Sequence, residues 1–258
     1  MKKKKRYVVI LVILAIYLLA MFLLFGNYIK KGKYETTIII GQNTIWNYSD
    51  RKWINITSNS TIQELNWTKY NIYLDNKYTG EYYLWYDDKW YLFDDNKNAI
   101  KKDGNLLAFR SNYDIKVHNF STSEIKDYSY VKKVLSDNNL DINSKFTVNN
   151  QITLDIDNDG TEETIYIISN VFAIDFYSDT IFSIVFMVKD GKIHTIYQDI
   201  DKNYSTNGCK PYINTIFDID ADNKFEIVLS CGRYSINKPI DMLYQLTNEG
   251  FKILISNQ

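Results

Sequence analysis

The strongest constraint on this sequence is an uncharged stretch at residues 7–25, which contains no charged side chain, proline, asparagine or glycine. As a helix, these 19 residues would be about 28 Å long, close to the hydrocarbon thickness of a bilayer. A cleaved signal peptide would have a shorter apolar region that ends at a small-x-small site, and Leu24, Phe25 and Gly26 provide no such site. We therefore predict a single transmembrane helix at residues 7–25 that acts as an uncleaved signal anchor.

The charges on either side of this stretch predict its orientation. Residues 2–6 are all basic, whereas three lysines follow the stretch, namely Lys30, Lys31 and Lys33. Basic residues favour the cytoplasmic side of a membrane. We therefore predict a single-pass protein of the cell membrane with a cytoplasmic tail at residues 1–6, a linker at residues 26–35 and an extracellular C-terminal region.

The predicted extracellular region is acidic. Beyond residue 33 the chain has 22 basic and 31 acidic side chains, a net charge of −9. Nucleic acids and anionic lipid surfaces both require a basic protein surface. The sequence therefore argues against nucleic acid as a partner and limits the predicted membrane contact to the single span.

Most of this region has the pattern of short β-strands separated by turns. Runs of β-branched and aromatic residues, which favour strands, occur at residues 36–40, 44–48, 89–93, 181–188 and 192–197. Asp190-Gly191 separates the last two runs and is typical of a two-residue hairpin turn. The pattern predicts an all-β region.

One segment has helical spacing instead. Ser121 and Glu124 form a capping box, and apolar residues then follow on one helical face at Ile125, Tyr128, Val131 and Leu135. We predict a helix at about residues 122–137. It divides the region into a Trp- and Tyr-rich β region at residues 36–120, a helical segment at residues 121–140 and a second β region at residues 141–258.

Two acidic segments in the second β region share one pattern. We call residues 155–163 the first acidic loop and residues 218–226 the second acidic loop; both carry carboxylates at positions 1, 3, 5 and 9. Alternate side chains of a tight loop can direct oxygen atoms at one point, which a hard cation such as Ca²⁺ requires. Position 6 must turn sharply and is Gly160 or Asn223, which tolerate a positive φ. The simpler alternative is a pair of acidic hairpin turns.

The pattern does not fit an EF-hand. That loop requires a glutamate at position 12 and a helix on either side, whereas position 12 is Tyr166 in one loop and Leu229 in the other. Strand-like runs flank both loops. The predicted sites therefore belong to a β-structure.

The pattern DxDxDGxxE before a β-branched strand resembles the FG-GAP/VCBS repeats of integrin-like β-propellers and related bacterial surface proteins. The resemblance covers residues 151 to about 257 as two units, although the FG and GAP tripeptides are missing. It implies Ca²⁺ as the bound ion. The side-chain ligands that it implies, together with the carbonyl groups of Thr161 and Lys224, are Asp155, Asp157, Asp159, Glu163, Asp218, Asp220, Asp222 and Glu226.

We therefore expect an all-β extracytoplasmic region with one short helix, preceded by the transmembrane helix. A propeller-like arrangement is the first expectation, and a β-sandwich is the alternative. Cys209 and Cys231 lie in the part placed outside the cell, where an even cysteine count favours a disulfide over two buried thiols.

The leading functional expectation is a membrane-anchored, calcium-stabilised module for binding or adhesion, with a cell-surface protein or a glycan as its partner. The aromatic residues between Trp46 and Trp90 fit either a glycan-binding platform or ordinary strand faces in a core. Alternatives are a cell-envelope enzyme such as a glycan hydrolase and an accessory subunit of a membrane complex. The sequence contains no GxSxG, HExxH or P-loop motif, and His118 and His194 lie in strand-like runs, so an enzyme is disfavoured.

Overall fold

The structure is a computed structural model that describes residues 36–42, 44–49, 52–101, 103–111, 115–171, 180–201, 208–219, 222–233 and 236–257. These residues form 18 strands in three sheets and two helices, which confirms the predicted all-β character. The predicted cytoplasmic tail, transmembrane helix and linker lie outside the described residues. No helix within the described ranges is long and apolar enough to cross a membrane.

Eight antiparallel strands of the Trp- and Tyr-rich region form the N-terminal sheet. In chain order they are β1 (Thr36–Ile40), β2 (Thr44–Ser49), β3 (Lys52–Asn55), β4 (Thr68–Leu74), β5 (Lys77–Asp87), β6 (Lys89–Phe93), β7 (Ala99–Ile100) and β8 (Leu106–Arg110). In space the order is β3-β2-β1-β8-β4-β5-β6-β7. Helix α1 (Asn59–Glu64) connects β3 to β4.

The second β region forms two five-stranded antiparallel sheets. The outer sheet contains, in spatial order, β10 (Ser123–Glu124), β11 (Val148–Leu154), β12 (Glu163–Ser169), β13 (Ile181–Lys189) and β14 (Lys192–Asp201). The central sheet has the order β18 (Gly250–Ser256), β17 (Ile236–Thr247), β16 (Glu226–Arg233), β15 (Cys209–Asp218) and β9 (Lys116–Val117). Each sheet is thus a four-stranded meander with one short strand added at an edge.

The central sheet is buried on both faces. Ile227 and Leu229 of β16 pack into a core shared with the outer sheet, whereas Val228 between them packs into a core shared with the N-terminal sheet. Alternate residues of a strand point to opposite faces, so one uninterrupted apolar run supplies both cores. The three sheets therefore stack in the order N-terminal, central, outer.

A helix lies at each end of this stack. Helix α2 (Ser129–Asp137) buries Val131 and Leu135 against the far face of the outer sheet. Ile62 of α1, with Leu65 just beyond it, joins the core on the far face of the N-terminal sheet. The helices therefore cover the two outward faces of the stack. The described sheets lie in layers and do not close into the expected propeller.

The sequence predicted one helix, whereas the described residues form two. The predicted helix at residues 122–137 begins only at Ser129, because Ser123 and Glu124 pair with Gln151 and Asn150 of β11 instead. Tyr128 is the N-cap residue and makes no side-chain cap bond, whereas Asp127 before it accepts the Ser129 N–H at 2.9 Å. Helix α1 was not predicted, since its six residues are too few to show helical periodicity.

A buried polar network joins the central sheet to the N-terminal sheet. Asp241 of β17 is 2% exposed and accepts hydrogen bonds from Thr44 of β2 and Ser230 of β16, both at 2.5 Å. Asn257 donates to the Thr44 hydroxyl at 2.6 Å and to the Asp241 carboxylate at 3.5 Å. Burial raises the pKa of Asp241 above its usual value, and the bonds from Ser230 and Thr44 oppose that shift.

A covalent bond also lies within the core between the central and outer sheets. Cys209 of β15 and Cys231 of β16 are joined by a disulfide, with Cα atoms 5.3 Å apart. Both residues are buried. The Ser183 hydroxyl of β13 donates to the Cys209 carbonyl, so the disulfide region also contacts the outer sheet.

The disulfide predicts a measurable loss of stability when it is removed. Replacing both residues, Cys209→Ser with Cys231→Ser, should lower the free energy of unfolding by about 2–4 kcal/mol, because the unfolded chain regains the freedom that the bond removes. Urea unfolding without reductant measures this loss. Mass spectrometry of wild-type protein should find no alkylated thiol, and two readily alkylated cysteines would contradict the pairing.

The Asp241 network predicts a specific pH dependence. Because the folded-state pKa of Asp241 is raised, its contribution to stability is fully present below the usual pKa of 3.8 and is lost as pH rises through the folded-state value. Relative to Asp241→Asn, the wild-type protein should therefore lose free energy of unfolding as the pH rises above 3.8 towards neutrality. Urea unfolding in chelator across that range tests this, and two parallel pH profiles would argue against the raised pKa.

Candidate functional site

The two acidic loops occupy equivalent places in two sheets. The first connects β11 to β12 in the outer sheet, and the second connects β15 to β16 in the central sheet. Position 2 is Ile156 in one loop and Ile219 in the other, and both side chains are buried in cores. This apolar anchor holds each loop against its hairpin.

Backbone N–H groups position the carboxylates of the first acidic loop. Asp155 accepts from the N–H groups of Asp159 at 3.0 Å and Gly160 at 2.8 Å, and Glu163 Oε2 accepts from the Ile156 N–H at 2.9 Å. Gly160 has a φ of +89°, as predicted for position 6. Ligand atoms of Asp155, Asp157 and Asp159 lie within 4.8 Å of one another, so these three predicted ligands could hold a metal ion.

A lysine ammonium lies among the carboxylates of the first acidic loop. Lys189 Nζ is 2.8 Å from Asp157 Oδ2, 2.6 Å from Asp159 Oδ2 and 3.0 Å from Glu163 Oε1. Lys189 is the last residue of β13, and its partner Glu163 is 1% exposed. The first loop is therefore an ion-pair network. Its cation comes from β13, which is the third strand of the same four-stranded meander.

These contacts change the proton affinity of both partners. Burial by itself would lower the pKa of Lys189, but hydrogen bonds to Asp157, Asp159 and Glu163 outweigh it and raise that pKa above its usual value. The Lys189 hydrogen bond, followed by that from the Thr161 N–H, lowers the pKa of Asp159. The ammonium and the carboxylate are accordingly both charged at neutral pH.

The second acidic loop repeats the backbone pattern of the first. Asn223, at position 6 with a φ of +64°, donates its N–H to Asp218 Oδ2 at 3.1 Å, as Gly160 does to Asp155. The Ile219 N–H donates to Glu226 Oε2 at 3.0 Å, as Ile156 does to Glu163. Asp220 lies outside the described residues, so its ligand role stays a prediction.

In the central sheet, the third strand of the meander, β17, contributes a different side chain to the second loop. Gln245 Nε2 of β17 donates to Glu226 Oε1 at 3.0 Å, which is the contact that Lys189 Nζ makes with Glu163 Oε1 in the first loop. A neutral amide thus takes the place of the ammonium. Asp218 is 1% exposed, and its Oδ1 atom has no hydrogen-bond partner among the described residues.

The two predicted carbonyl ligands take part in the loops through their N–H groups. Thr161 donates its N–H to Asp159 Oδ1, and Lys224 donates its N–H to Asp222 Oδ1, both at 2.8 Å. These matching bonds turn the backbone after position 5 in each loop. Metal binding by either carbonyl stays a prediction.

The residues that sequence reasoning missed are Lys189 and Gln245. Neither lies within an acidic motif, because each belongs to the strand after the motif's second strand. The sequence contained one indication of Lys189. It immediately precedes the predicted Asp190-Gly191 turn, so it lies at the end of a strand, and in the structure this end of β13 lies beside the start of β12. The register of that strand was needed to place Lys189 opposite Glu163.

The two loops touch, and a cleft of about 260 Å³ adjoins them. The Phe225 N–H of the second loop donates to the Ile156 carbonyl of the first at 2.9 Å. Asp157, Lys192, His194 and Lys224 are among the residues that line the cleft. The predicted ion sites therefore form one contiguous region rather than two separate ones.

We compared the chain with known proteins and found no match. No family model, no curated protein and no solved structure matches the chain.

Proposed function

We propose that this chain is a membrane-anchored, outward-facing module for binding or adhesion, stabilised by calcium at its acidic loops. The observation that carries the proposal is the convergence of Asp155, Asp157 and Asp159 within 4.8 Å, in a loop whose backbone pattern recurs in the second hairpin. The anchor in this proposal is the stretch at residues 7–25, with the N-terminus in the cytoplasm.

The donor chemistry favours Ca²⁺ over other common ions. Carboxylate and carbonyl oxygens are the groups that these loops offer, whereas zinc prefers cysteine and histidine ligands. Ca²⁺ accepts six to eight oxygen ligands in an irregular shell, whereas Mg²⁺ requires a near-ideal octahedron. A loop that directs several carboxylates at one point therefore suits Ca²⁺ best.

We further propose that residues 141–258 are two units of the FG-GAP/VCBS type. Each unit would consist of one four-stranded meander, with an acidic loop in the first hairpin and a short turn in the last hairpin. The repeated hydrogen bonds from Ile156 to Glu163 and from Ile219 to Glu226 support this proposal. Face-to-face packing of the two meanders agrees with the sandwich alternative for the fold.

The binding surface in this proposal is an exposed aromatic face on the N-terminal sheet, formed by Trp67, Tyr83, Trp85, Tyr91 and Phe93. The Trp67 ring lies 5.4 Å from Trp85 and 5.0 Å from Phe93. Trp85 pairs with Tyr91 and Tyr83 with Phe93 across β5 and β6, so these rings share one face. Leu84 and Leu92 point to the opposite, buried face.

A glycan is the partner that fits this face best. Trp67 is 42% exposed and Tyr91 is 38% exposed, and aromatic rings with one free face can stack on the apolar face of a sugar. Lys69, held 2.9 Å from Asp95, places charged groups beside the rings for contact with hydroxyl groups. Lys97 Nζ lies 5.5 Å from the centre of the Trp67 ring.

A binding role accounts for the acidic residues better than catalysis does. The carboxylates of Asp155, Glu163 and Glu226 accept backbone N–H groups within their own loops, which directs their oxygens within the loop, as the binding of a hard cation requires. These residues therefore suit an ion site rather than a glycan hydrolase.

Calcium should stabilise the folded protein. With full-length protein in detergent and freed of metal by chelator, calcium at about ten times its dissociation constant should add about 1.4 kcal/mol for each site that it fills. Thermal unfolding measures this as a higher Tm, and magnesium should produce a much smaller shift.

The matched variants compare loop and surface carboxylates. Asp157→Asn combined with Asp218→Asn should abolish the calcium response, whereas Asp137→Asn, on the exposed surface of α2, should retain it. Extracellular modules bind calcium with dissociation constants of up to about 1 mM. If calcium at several times that concentration does not change the wild-type Tm, the loops are only acidic turns.

Glycan binding should depend on the aromatic face. On an array of cell-envelope polysaccharide fragments, Trp67→Ala should weaken binding of the full-length protein about tenfold, or by about 1.4 kcal/mol, because a stacking surface is lost. Tyr78→Ala is the matched control, since Tyr78 is 55% exposed but lies at the other end of β5, where its ring is 5.3 Å from that of Tyr73. Equal losses in the two variants, or no bound fragment for the wild type, would refute the glycan proposal.

A further inference from the structure

We infer that the aromatic face of the N-terminal sheet binds an acidic glycan, whose carboxylate or phosphate groups contact the ammonium groups of Lys89 and Lys97. This inference rests on the proposed glycan binding and goes beyond it, because it names the charge of the ligand and the residues that recognise it. Beyond residue 33 the chain has a net charge of −9, so a gathering of lysines on one face is a local feature that needs its own explanation.

Lysine ammonium groups lie over three of the rings on this face. The three pairs are Lys69 over Tyr83, Lys89 over Tyr91 and Lys97 over Trp67, with the nitrogen 5.7, 5.1 and 5.5 Å from the ring centre. Within the described part of the chain, every lysine–ring contact of this kind lies on this face. A ring attracts an ammonium through its π electrons but uses none of its N–H groups as a carboxylate does, so these donors stay available for a ligand.

Two of the three lysines have no carboxylate partner. Lys69 is paired with Asp95 at 2.9 Å and with Glu81 at 3.6 Å. Lys89 and Lys97 form no ion pair with any residue that the structure describes, and both are exposed. The face therefore offers two ammonium groups to an anionic ligand, whereas the charge of the third is already balanced.

Hydrogen bonds hold the turn that carries Lys97. The Asp94 carboxylate accepts the N–H groups of Asn96 at 2.9 Å and Asn98 at 2.8 Å, and the Asp94 carbonyl accepts the Lys97 N–H at 3.0 Å. The nearest acidic residue in the chain thus binds the backbone of its own turn. Lys97 is positioned over the Trp67 ring without a competing carboxylate.

Trp67 has a backbone conformation that bulky residues rarely adopt. Its φ is +57°, and its N–H donates to the Leu84 carbonyl at 2.8 Å. A bulky residue at positive φ is strained, and such strain is concentrated at binding and catalytic sites. The side chain remains 42% exposed, so burial does not explain its placement. Contact with a ligand does.

Lys89 and Lys97 lie at opposite ends of the row of rings. Lys89 begins β6 and Phe93 ends it, which separates them by roughly 13 Å at the usual rise of a strand, and the Phe93 ring is 5.0 Å from the Trp67 ring under Lys97. Asp87 lies opposite Lys89 in the strand register, so the Lys97 end is the more positive. A polysaccharide in which acidic groups recur can contact both ends, more strongly at Lys97.

Glycan fragments that differ only in charge test the inference. For one polysaccharide backbone, an array carries a uronic-acid form, a phosphate-ester form and an uncharged, carboxyl-reduced form, and is probed with full-length protein in detergent. At low salt an acidic form should bind about tenfold more tightly than the uncharged form, because two exposed ion pairs act together. High salt should reduce this preference by screening. The acidic form that binds identifies the recognised group as carboxylate or phosphate.

Variants assign the preference to the two lysines. Lys97→Gln should reduce the tenfold preference to about twofold, Lys89→Gln should reduce it less, and Lys97→Arg, which keeps the charge, should retain it. Lys77→Gln is the matched control, because it removes the same charge from an exposed lysine at the other end of β5. Thermal unfolding checks that each variant is folded, and Lys89→Gln together with the salt dependence decides the question if Lys97→Gln does not fold.

The outcomes separate this inference from the proposed function. If the wild-type protein binds acidic and uncharged fragments equally, glycan binding is upheld and the inference is overturned. Equal effects of Lys97→Gln and Lys77→Gln would also overturn it, since the preference would then arise from overall charge. If the wild-type protein binds no fragment of any form, the proposed glycan binding itself is overturned.

Discussion

Burial of the central sheet on both faces is the constraint on which the rest of the molecule depends. A strand such as β16 must be apolar at consecutive positions, because Ile227 and Val228 enter different cores. The N-terminal sheet and the outer sheet each bury only part of their surface against it, and each covers its remaining apolar face with a short helix. The polar residues inside this region are correspondingly few, and Asp241, Thr44 and Ser230 satisfy one another.

The sequence predicted the strands well and their assembly poorly, for a physical reason. Strand formation depends on local choices such as β-branched runs and the Asp190-Gly191 turn, where both residues have positive φ, and these are visible in a short window. Closure into a propeller or a stack depends on which faces meet, which is a long-range property. The late start of α2 has the same origin, because Ser123 and Glu124 gain partners in β11 that are distant in the chain.

The acidic loops show the same division between local and distant information. Their spacing predicted that carboxylates would converge, and Asp155, Asp157 and Asp159 do lie together. The positive φ at Gly160 and Asn223 was likewise readable, because position 6 has to turn. The motif could not show the residue that a third strand adds. Lys189 and Gln245 are ordinary strand residues in the sequence, yet each donates a hydrogen bond to the position-9 glutamate of a loop.

Cys209 and Cys231 lie on either side of the second acidic loop, 22 residues apart in the chain, so that this loop belongs to a covalent ring. If this hairpin opens at its loop, β15 and β16 stay tethered at the far end of the hairpin, and the separation stops there. In a chain with reduced cysteines nothing halts it, and the hairpin can come apart along its length. The redox state of the surroundings therefore decides whether opening of this hairpin is a local, reversible event or the first step in separating the layers.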